Sequence, residues 1–275
     1  IVDARLPDGS RVNVVLSPTA LNGPIVTIRK FPKEAVTMQH LVCWGALDEE
    51  TAEFLKLLVK SKYNIFISGG TGSGKTTFLN ALSEFIPEDE RVITIEDNAE
   101  LKIQGIRNLV RLEARNANVE GIGEITIQDL FKSALRMRPD RILVGEVRQF
   151  EAFSMIEAMS SGHPGSMSTG HANSPQDMLM RLETMILTGL NIPLLAIQRK
   201  IASGVDIIVH LSRFRDKSRK VAEIVEVLDC VEEGIRVNKL YEFVEESVSS
   251  GKICGKLVKC GALTQREKLL AAGYS

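Results

Sequence analysis

Apolar and polar positions alternate across residues 1–31, and Pro7-Asp8-Gly9 and Asn22-Gly23-Pro24 interrupt the alternation. A period of two broken by turn residues predicts a few strands of a small β-containing piece. Residues 31–44 carry Pro32 and no clear period, and read as a linker. The spacing then changes. Leu55, Leu58 and Val59 share one helical face, Asp48 is placed to cap it, and Glu49 and Glu50 favour its positive end, so a helix is predicted from Asp48. Short apolar runs at 63–68, 91–96, 141–144, 165–169 and 207–211 read as strands. Helices are predicted between them. One starts at about Lys75, and one runs from a Thr126/Asp129 capping box to Met137, where Pro139 stops it. Another covers 149–160, and one begins at Ser174 with Pro175 in its first position. Residues 221–229 and 235–241 read as a hairpin around Glu233-Gly234, and a helix from about Thr264 closes the chain. Strands alternating with helices predict an α/β fold with a mostly parallel central sheet.

Composition bounds this picture without changing it. The chain has 275 residues, 44% of them hydrophobic and 25% charged, enough for one large domain or two modest ones. The net charge of -1 gives no whole-chain argument for nucleic acid, although a local basic patch stays open. No apolar run approaches the roughly 18 residues of a membrane span, and the start shows no signal peptide. The first residue is Ile1, so the sequence is expected to begin partway through a longer protein. Cys43, Cys230, Cys254 and Cys260 form no Cys-x-x-Cys pair, which argues against structural zinc and fits a reduced cytosolic setting.

One segment carries explicit chemistry. Gly69-Gly70-Thr71-Gly72-Ser73-Gly74-Lys75-Thr76 follows a predicted strand and opens a predicted helix. Its glycines let successive backbone N–H groups curl around phosphates. Lys75 brings positive charge to the outer phosphates, and the Thr76 hydroxyl is suited to Mg²⁺. The helix points its positive end at the same anion. The segment is therefore expected to bind ATP.

Such a loop needs acidic strand ends. Glu146 emerges where the run Arg141-Ile142-Leu143-Val144-Gly145 ends, the edge where α/β sheets place ligands. A carboxylate there can hold Mg²⁺ or polarise the attacking water, which makes Thr76 and Glu146 the metal candidates. Glu96, Asp97 and Glu100 form a second acidic group, and the sequence leaves open which acid serves which role. His163 and His171 flank one short strand, and His171 is placed to face the γ-phosphate. Arg111, Arg115, Arg136, Arg138, Arg141 and Arg148 lie between the acidic strand ends. Each alone reads as a surface or ion-pairing residue. As a set they offer arginines that stabilise a transferring phosphoryl group, in their own subunit or a neighbour's.

The order of these segments, with Ile95-Glu96-Asp97-Asn98-Ala99-Glu100-Leu101, Gly145-Glu146-Val147-Arg148 and Thr169-Gly170-His171-Ala172-Asn173, closely resembles the type II/type IV secretion ATPases over about residues 11–261. Within them it looks most like the CpaF branch, which powers Tad-type pilus assembly. The resemblance implies a RecA-like P-loop NTPase core preceded by the end of a small N-terminal α+β domain. The implied division is residues 1–43, N-terminal domain and linker, and 44–275, ATPase domain with a C-terminal extension. By position, Gly70, Thr71, Gly72, Ser73, Gly74, Lys75, Thr76 and Thr77 would be the Walker A contacts. Glu96 and Glu100 would belong to the Asp box, Glu146 to the Walker B motif, and His163 and His171 to the His box. Arg111 and Arg115 are carried as catalytic candidates. Thr27-Ile28-Arg29-Lys30-Phe31 resembles the end of a domain that swings over the nucleotide, so Arg29 is a nucleotide-contact candidate. Ser160-Ser161 stand where the family often has Asn-Thr, and Gln149 where it often has Gly. The tetracysteine zinc insertion of the pilus-extension relatives is absent from the sequence.

The resemblance implies a cytoplasmic ATP-hydrolysing motor that associates peripherally with the membrane. It would be a homo-oligomer, a hexameric ring with Mg²⁺-ATP between subunits, pushing on an inner-membrane platform protein. Two other readings stay open: a nucleotide-gated assembly factor with little turnover, and a DNA-translocating conjugation ATPase. The charge balance gives no strong evidence for nucleic acid.

Overall fold

The computed structural model describes residues 1–30, 35–117, 121–232, 234–249 and 251–274. Part of the expected linker, Phe31 of the N-terminal motif, and Glu233 of the predicted hairpin tip lie outside the described residues. The chain divides into two compact units, Ile1–Ala35 and Val36–Ser275.

The first unit is a three-stranded antiparallel sheet of β1 (Val2–Arg5), β2 (Arg11–Val15) and β3 (Ile25–Arg29), in that order. The Pro7-Asp8-Gly9 turn closes as expected. Gly9 adopts φ 86°, and the Asp8 carboxylate accepts from the Ser10 amide at 2.9 Å.

The second unit holds helices α1 (Met38–Cys43) and α2 (Glu49–Lys60), strand β4 (Ile65–Gly69) and helix α3 (Lys75–Ser83). Strands β5 (Arg91–Glu96) and β6 (Asn108–Glu113) follow, then α4 (Ile127–Ala134), β7 (Arg141–Val144), α5 (Glu151–Ser160) and β8 (Met167–His171). Next come α6 (Pro175–Leu187), α7 (Leu194–Gly204) and the strands β9 (Ile207–Arg213), β10 (Arg219–Val231), β11 (Gly234–Ser249) and β12 (Lys252–Lys259), and α8 (Glu267–Ala271) ends the series. The strands form one sheet in the order β12-β11-β10-β9-β4-β8-β7-β5-β6. Pairing is parallel from β9 to β6 and antiparallel from β9 out to β12. The α/β fold with a mostly parallel core is thus as expected, and an antiparallel extension widens the sheet.

The parallel strands alternate between two apolar layers. Ile65, Ile67, Val92, Leu143, Ile207 and Val209 face α1, α2 and α3, while Phe66, Ile93, Ile95, Ile142, Val144 and Ile208 face α4, α5, α6 and α7. Both faces are covered, which is why the strands read as nearly continuous apolar runs. β4 stands where the winding reverses. The path through α3 leads toward β5 on one side, and the path from β8 through α6 and α7 returns to β9 on the other. A crevice at the carboxyl ends of strands at such a reversal is the usual ligand position of this architecture.

The predicted caps form. Asp48 accepts from the Thr51 amide, the Thr126/Asp129 box closes in both directions, and Ser174 accepts from the Asp177 amide. Three expectations need correction. The helix expected to reach Met137 ends at Ala134 and continues as a 3₁₀ turn, because Arg138, ahead of Pro139, takes φ 54° instead of a helical value. The final helix begins at Glu267 and not at Thr264. Thr264 is drawn to the buried carboxylate of Glu226, which accepts from its backbone N–H, its hydroxyl, the Gln265 amide and Asn238 Nδ2. The expected linker contains α1, which starts at a box made by Thr37 and His40.

Candidate functional site

The loop after β4 takes its shape from local sterics. Gly72 and Gly74 sit at φ 72° and 98°, where side chains are disfavoured, and Ser73 Oγ donates to the Gly70 carbonyl at 2.9 Å. Gly69 is compelled differently: a Cβ there would lie 2.4 Å from the Leu211 carbonyl oxygen. Gly74, the residue before helix α3, gives it no side-chain cap, so its first backbone N–H groups are left to an outside acceptor. Thr76 and Thr77 occupy its first turn.

Lys75 is 8% exposed. Its Nζ donates to the Gly69 carbonyl at 3.1 Å and the Gly70 carbonyl at 3.0 Å, and lies 3.3 Å from His171 Nδ1. An ammonium only donates, so Nδ1 of His171 is the acceptor and Nε2 carries the ring proton. That Nε2 faces Glu146 Oε1 at 2.8 Å. Glu146 Oε2 accepts from Arg148 Nε at 2.9 Å and Nη2 at 2.6 Å. Lys75, His171, Glu146 and Arg148 thus lie side by side across the ends of β4, β8 and β7, with the His171–Glu146 step a close charge contact and not an aligned hydrogen bond, since Glu146 Oε1 is buried without a hydrogen-bond partner among the described residues. Burial lowers the pKa of Lys75 and of His171, and the Glu146 charge opposes the shift in each. Arg148 titrates above its usual range because Glu146 accepts from it.

Glu96, at the end of β5, is 2% exposed and plays a different part. Its Oε1 accepts from the amides of Glu100 (2.7 Å) and Leu101 (2.8 Å), so it fastens the loop after its own strand. Its Oε2 is buried and has no hydrogen-bond partner among the described residues. Gly145 packs close by, since a Cβ on it would stand 3.1 Å from Glu96 Cγ. Burial raises the Glu96 pKa above its ordinary 4.5. The folded state therefore holds this proton more tightly than the unfolded chain, and stability drains away as pH rises from about 4.5 through the folded value. Glu96→Gln keeps an acceptor for both amides and removes the ionisation. Its melting temperature relative to the unsubstituted protein is expected to rise from pH 4.5 to pH 8. A difference that is flat or falls over that range would contradict this account of Glu96.

The other predicted residues divide by position. Glu100 donates its amide to Glu96, and Arg111 donates from Nη2 to the Leu101 carbonyl at 3.0 Å, so both belong to the β5 end. Arg115 donates from Nε to the Gly123 carbonyl at 2.8 Å, on an exposed segment bridged to Ile125. Arg136, Arg138 and Arg141 precede or open β7, at the opposite end of the strand from Glu146. Arg141 is fully buried there, paired with Glu90 and donating to the Val59 carbonyl, so its task is structural. His163 likewise precedes β8, whereas His171 ends it. Arg29 lies on β3 of the first unit.

Sequence reasoning missed one contact to the loop and one to the strand that launches it. Arg219, at the start of β10, donates from Nε to the Gly72 carbonyl at 2.7 Å. It is held by a tight β9–β10 turn in which Asp216 accepts from Ser218 and from the Ile253 amide, bonds that bring the Asp216 pKa down to about 2. His210, on β9, lies behind the loop, bonded to Ser68. Beside the loop opens a cleft of about 430 Å³ lined by Gly70, Thr71, His171, Asn173, Asp177 and Arg181.

A glycine-shaped loop at the winding reversal of a mostly parallel sheet, with a lysine and a histidine–carboxylate pair converging on it, defines a nucleotide-binding α/β domain of the P-loop class. The chain belongs to the type II/IV secretion system protein family, which it matches over residues 1–260. It is 34% identical over 241 residues to the conjugal transfer protein TrbB of Rhizobium radiobacter, covering 86% of this chain and 69% of the relative. It is 39% identical over 214 residues to a Mycobacterium tuberculosis protein provisionally named for conjugal transfer, 78% of this chain but only 60% of that relative. Among solved structures it resembles the VirB11 ATPase of the Brucella suis type IV secretion system, in complex with sulphate, with a TM-score of 0.58 and 32% identity over 81% of this chain and 72% of that one. Among the described residues no helix is long and apolar enough to cross a membrane, and no group of three or more His, Cys, Asp or Glu forms a cage for a metal ion.

Proposed function

We propose that this chain is the ATP-hydrolysing part of a secretion or pilus motor, and that ATP is bound on the Gly69–Thr76 loop with the chemistry at Lys75, His171 and Glu146. The observation that carries the reading is the Lys75–His171–Glu146 row. It connects the loop's only lysine to the one carboxylate at the strand ends that lies beside it. The arrangement suits an arriving phosphate. Lys75 rests on neutral carbonyls that it can exchange for phosphate oxygens, and the uncapped start of α3 offers N–H groups to the same anion. When Lys75 turns to phosphate, His171 Nδ1 loses its donor, so the ring at the end of β8 registers an occupied loop. Glu146 is then the acid that orients the attacking water, and Glu96 shapes the neighbouring strand end.

The donor set also fits Mg²⁺. With no protein-only cage among the described residues, the ion would be held through phosphates together with the Thr76 hydroxyl and Glu146, which is how Mg²⁺ is ordinarily bound. When present it neutralises the phosphate charge that Lys75 alone does not balance.

Family membership supports a finer reading. The protein would be a homo-oligomer, a hexameric ring acting at the cytoplasmic face of the membrane on an inner-membrane platform protein. Within the family we favour the CpaF-like, Tad-type pilus branch, on the motif order given above. In that ring residues 1–43 would form the end of an N-terminal domain plus a linker, and 44–275 the motor core with a C-terminal extension. Arg29, Arg111 and Arg115 would be the arginines that complete a site, their own or a neighbour's.

The test is phosphate release from ATP with and without Mg²⁺. Mg²⁺-dependent release is expected. Tight nucleotide binding without release would favour a nucleotide-gated assembly factor, and stimulation by duplex DNA would favour a conjugation translocase. Absence of both release and binding would refute the reading.

A further inference from the structure

On the far side of the nucleotide loop lies a buried polar pair that the proposed chemistry does not use. Ser68, the penultimate residue of β4, is fully buried, and its Oγ lies 2.9 Å from Nδ1 of His210, which is 5% exposed. The two are register partners across the parallel β4–β9 pairing. Nε2 of the same ring lies 3.4 Å from Ser212 Oγ. One residue further on, Gly69 is pressed against the Leu211 carbonyl, with no space for a Cβ. Consecutive residues of β9 thus support the consecutive residues that launch the loop, by a side-chain bond at Ser68 and by backbone contact at Gly69. The Gly69 carbonyl is itself an acceptor of Lys75 Nζ. A shift of Ser68 and Gly69 therefore moves the point against which Lys75 rests.

The chemistry of the ring suits this place. A neutral imidazole has one donor and one acceptor, and a hydroxyl can answer either. Burial lowers the His210 pKa and Lys75 adds to the effect, while Asp177 opposes it, so the ring is neutral at neutral pH. An apolar residue at 210 would fill the space but leave the Ser68 hydroxyl buried without a partner.

We infer that His210 is a positioning residue for the nucleotide loop: by fixing the Ser68 hydroxyl it sets the end of β4 from which the Gly69 carbonyl and Lys75 are aimed at phosphate. The inference rests on the phosphate-binding reading of the loop. A role in packing alone would lower the melting temperature and leave phosphate affinity unchanged.

The experiment measures binding of ADP and of inorganic pyrophosphate by calorimetry, with His210→Ala, His210→Gln, Ser68→Ala and the Ser68→Ala/His210→Ala pair beside the unsubstituted protein. His210→Ala is expected to weaken both ligands by about 3- to 10-fold, the range of one hydrogen bond. His210→Gln, whose amide both donates and accepts, is expected to recover most of the loss. Ser68→Ala should match His210→Ala, and the double variant should be no weaker than either single one, because the two residues act through one bond. Unchanged affinity in His210→Ala, failure of Gln to rescue, or additive losses would overturn the inference. Should His210→Ala not fold, Ser68→Ala decides alone, and wild-type affinity there overturns it. If the unsubstituted protein binds neither ligand, the phosphate-loop reading falls and this inference with it. Wild-type binding with no effect at 210 refutes only the inference.

Discussion

Lys75→Ala is expected to lower ATP hydrolysis by about 10²–10³-fold, the scale seen when one preorganised donor to a developing charge is removed. The structure says why no neighbour can substitute. Lys75 is the only cation donating to the loop carbonyls of both Gly69 and Gly70 among the described residues, and it is held in place by burial. Arg148, the next cation along the row, is committed to Glu146 through two of its nitrogens. Arg219 is bonded to the Gly72 carbonyl from the β10 side. Lys75→Arg should fare little better, because a planar guanidinium fork does not fit a seat shaped for a compact ammonium. The measurement is phosphate release at saturating Mg²⁺-ATP, with thermal melting as the control for folding. A variant that melts normally and hydrolyses ATP at the unsubstituted rate would show that the loop is not the chemical site.

Glu146→Gln should separate binding from turnover. The amide keeps the size of the carboxylate and one oxygen to accept from Arg148, but its other arm is an NH2 that brings no negative charge to His171. It also cannot take a proton from water. Hydrolysis is expected to fall by about 10²-fold or more, the usual worth of a positioned general base, while nucleotide affinity stays within a few-fold. Single-turnover phosphate release beside equilibrium binding distinguishes the outcomes. Turnover preserved in Glu146→Gln but lost in Glu96→Gln would move the water-orienting role to Glu96, whose second carboxylate oxygen is buried without a hydrogen-bond partner among the described residues.

What could be read from the sequence follows how local the determining interactions are. The loop, the strands on either side of it and the three side-chain caps at Asp48, Thr126 and Ser174 depend on neighbours a few positions away, and they stand where the pattern put them. The short helix α1 escaped because its box uses His40 in place of an acid, in a stretch with no clear period. β6 and β12 lie at the two edges of the sheet, with one partner strand each, so their apolar signal is diluted by exposed polar positions. α7 follows Pro193 with no side-chain cap to announce it. In the site, Glu146 and His171 were legible as strand ends, but their union with Lys75 spans 96 positions. Arg219 and His210 carry no local motif at all. Each acquires a task only when β9 and β10 are laid beside β4, and Arg219 and Gly72 are 147 positions apart. Arg141 is the converse case: read alone as a surface or ion-pairing residue, it is an ion-pairing one. Its sequence neighbourhood is acidic and arginine-rich, yet the direction of β7 carries it to the far end of the sheet, into the pair with Glu90.

The central place of β4 also orders events in time. It comes early in the sequence, yet its lateral partners β8 and β9 arrive much later, and Ser68 meets His210 across 142 positions. Contacts of such separation form slowly, after the loop-closure entropy between them has been overcome. A chain leaving the ribosome therefore exposes the loop well before the strands β8 and β9 that flank it. Until β9 has emerged and docked, the glycine loop has no floor, and the nascent protein has no shaped site with which to capture the nucleotide around it.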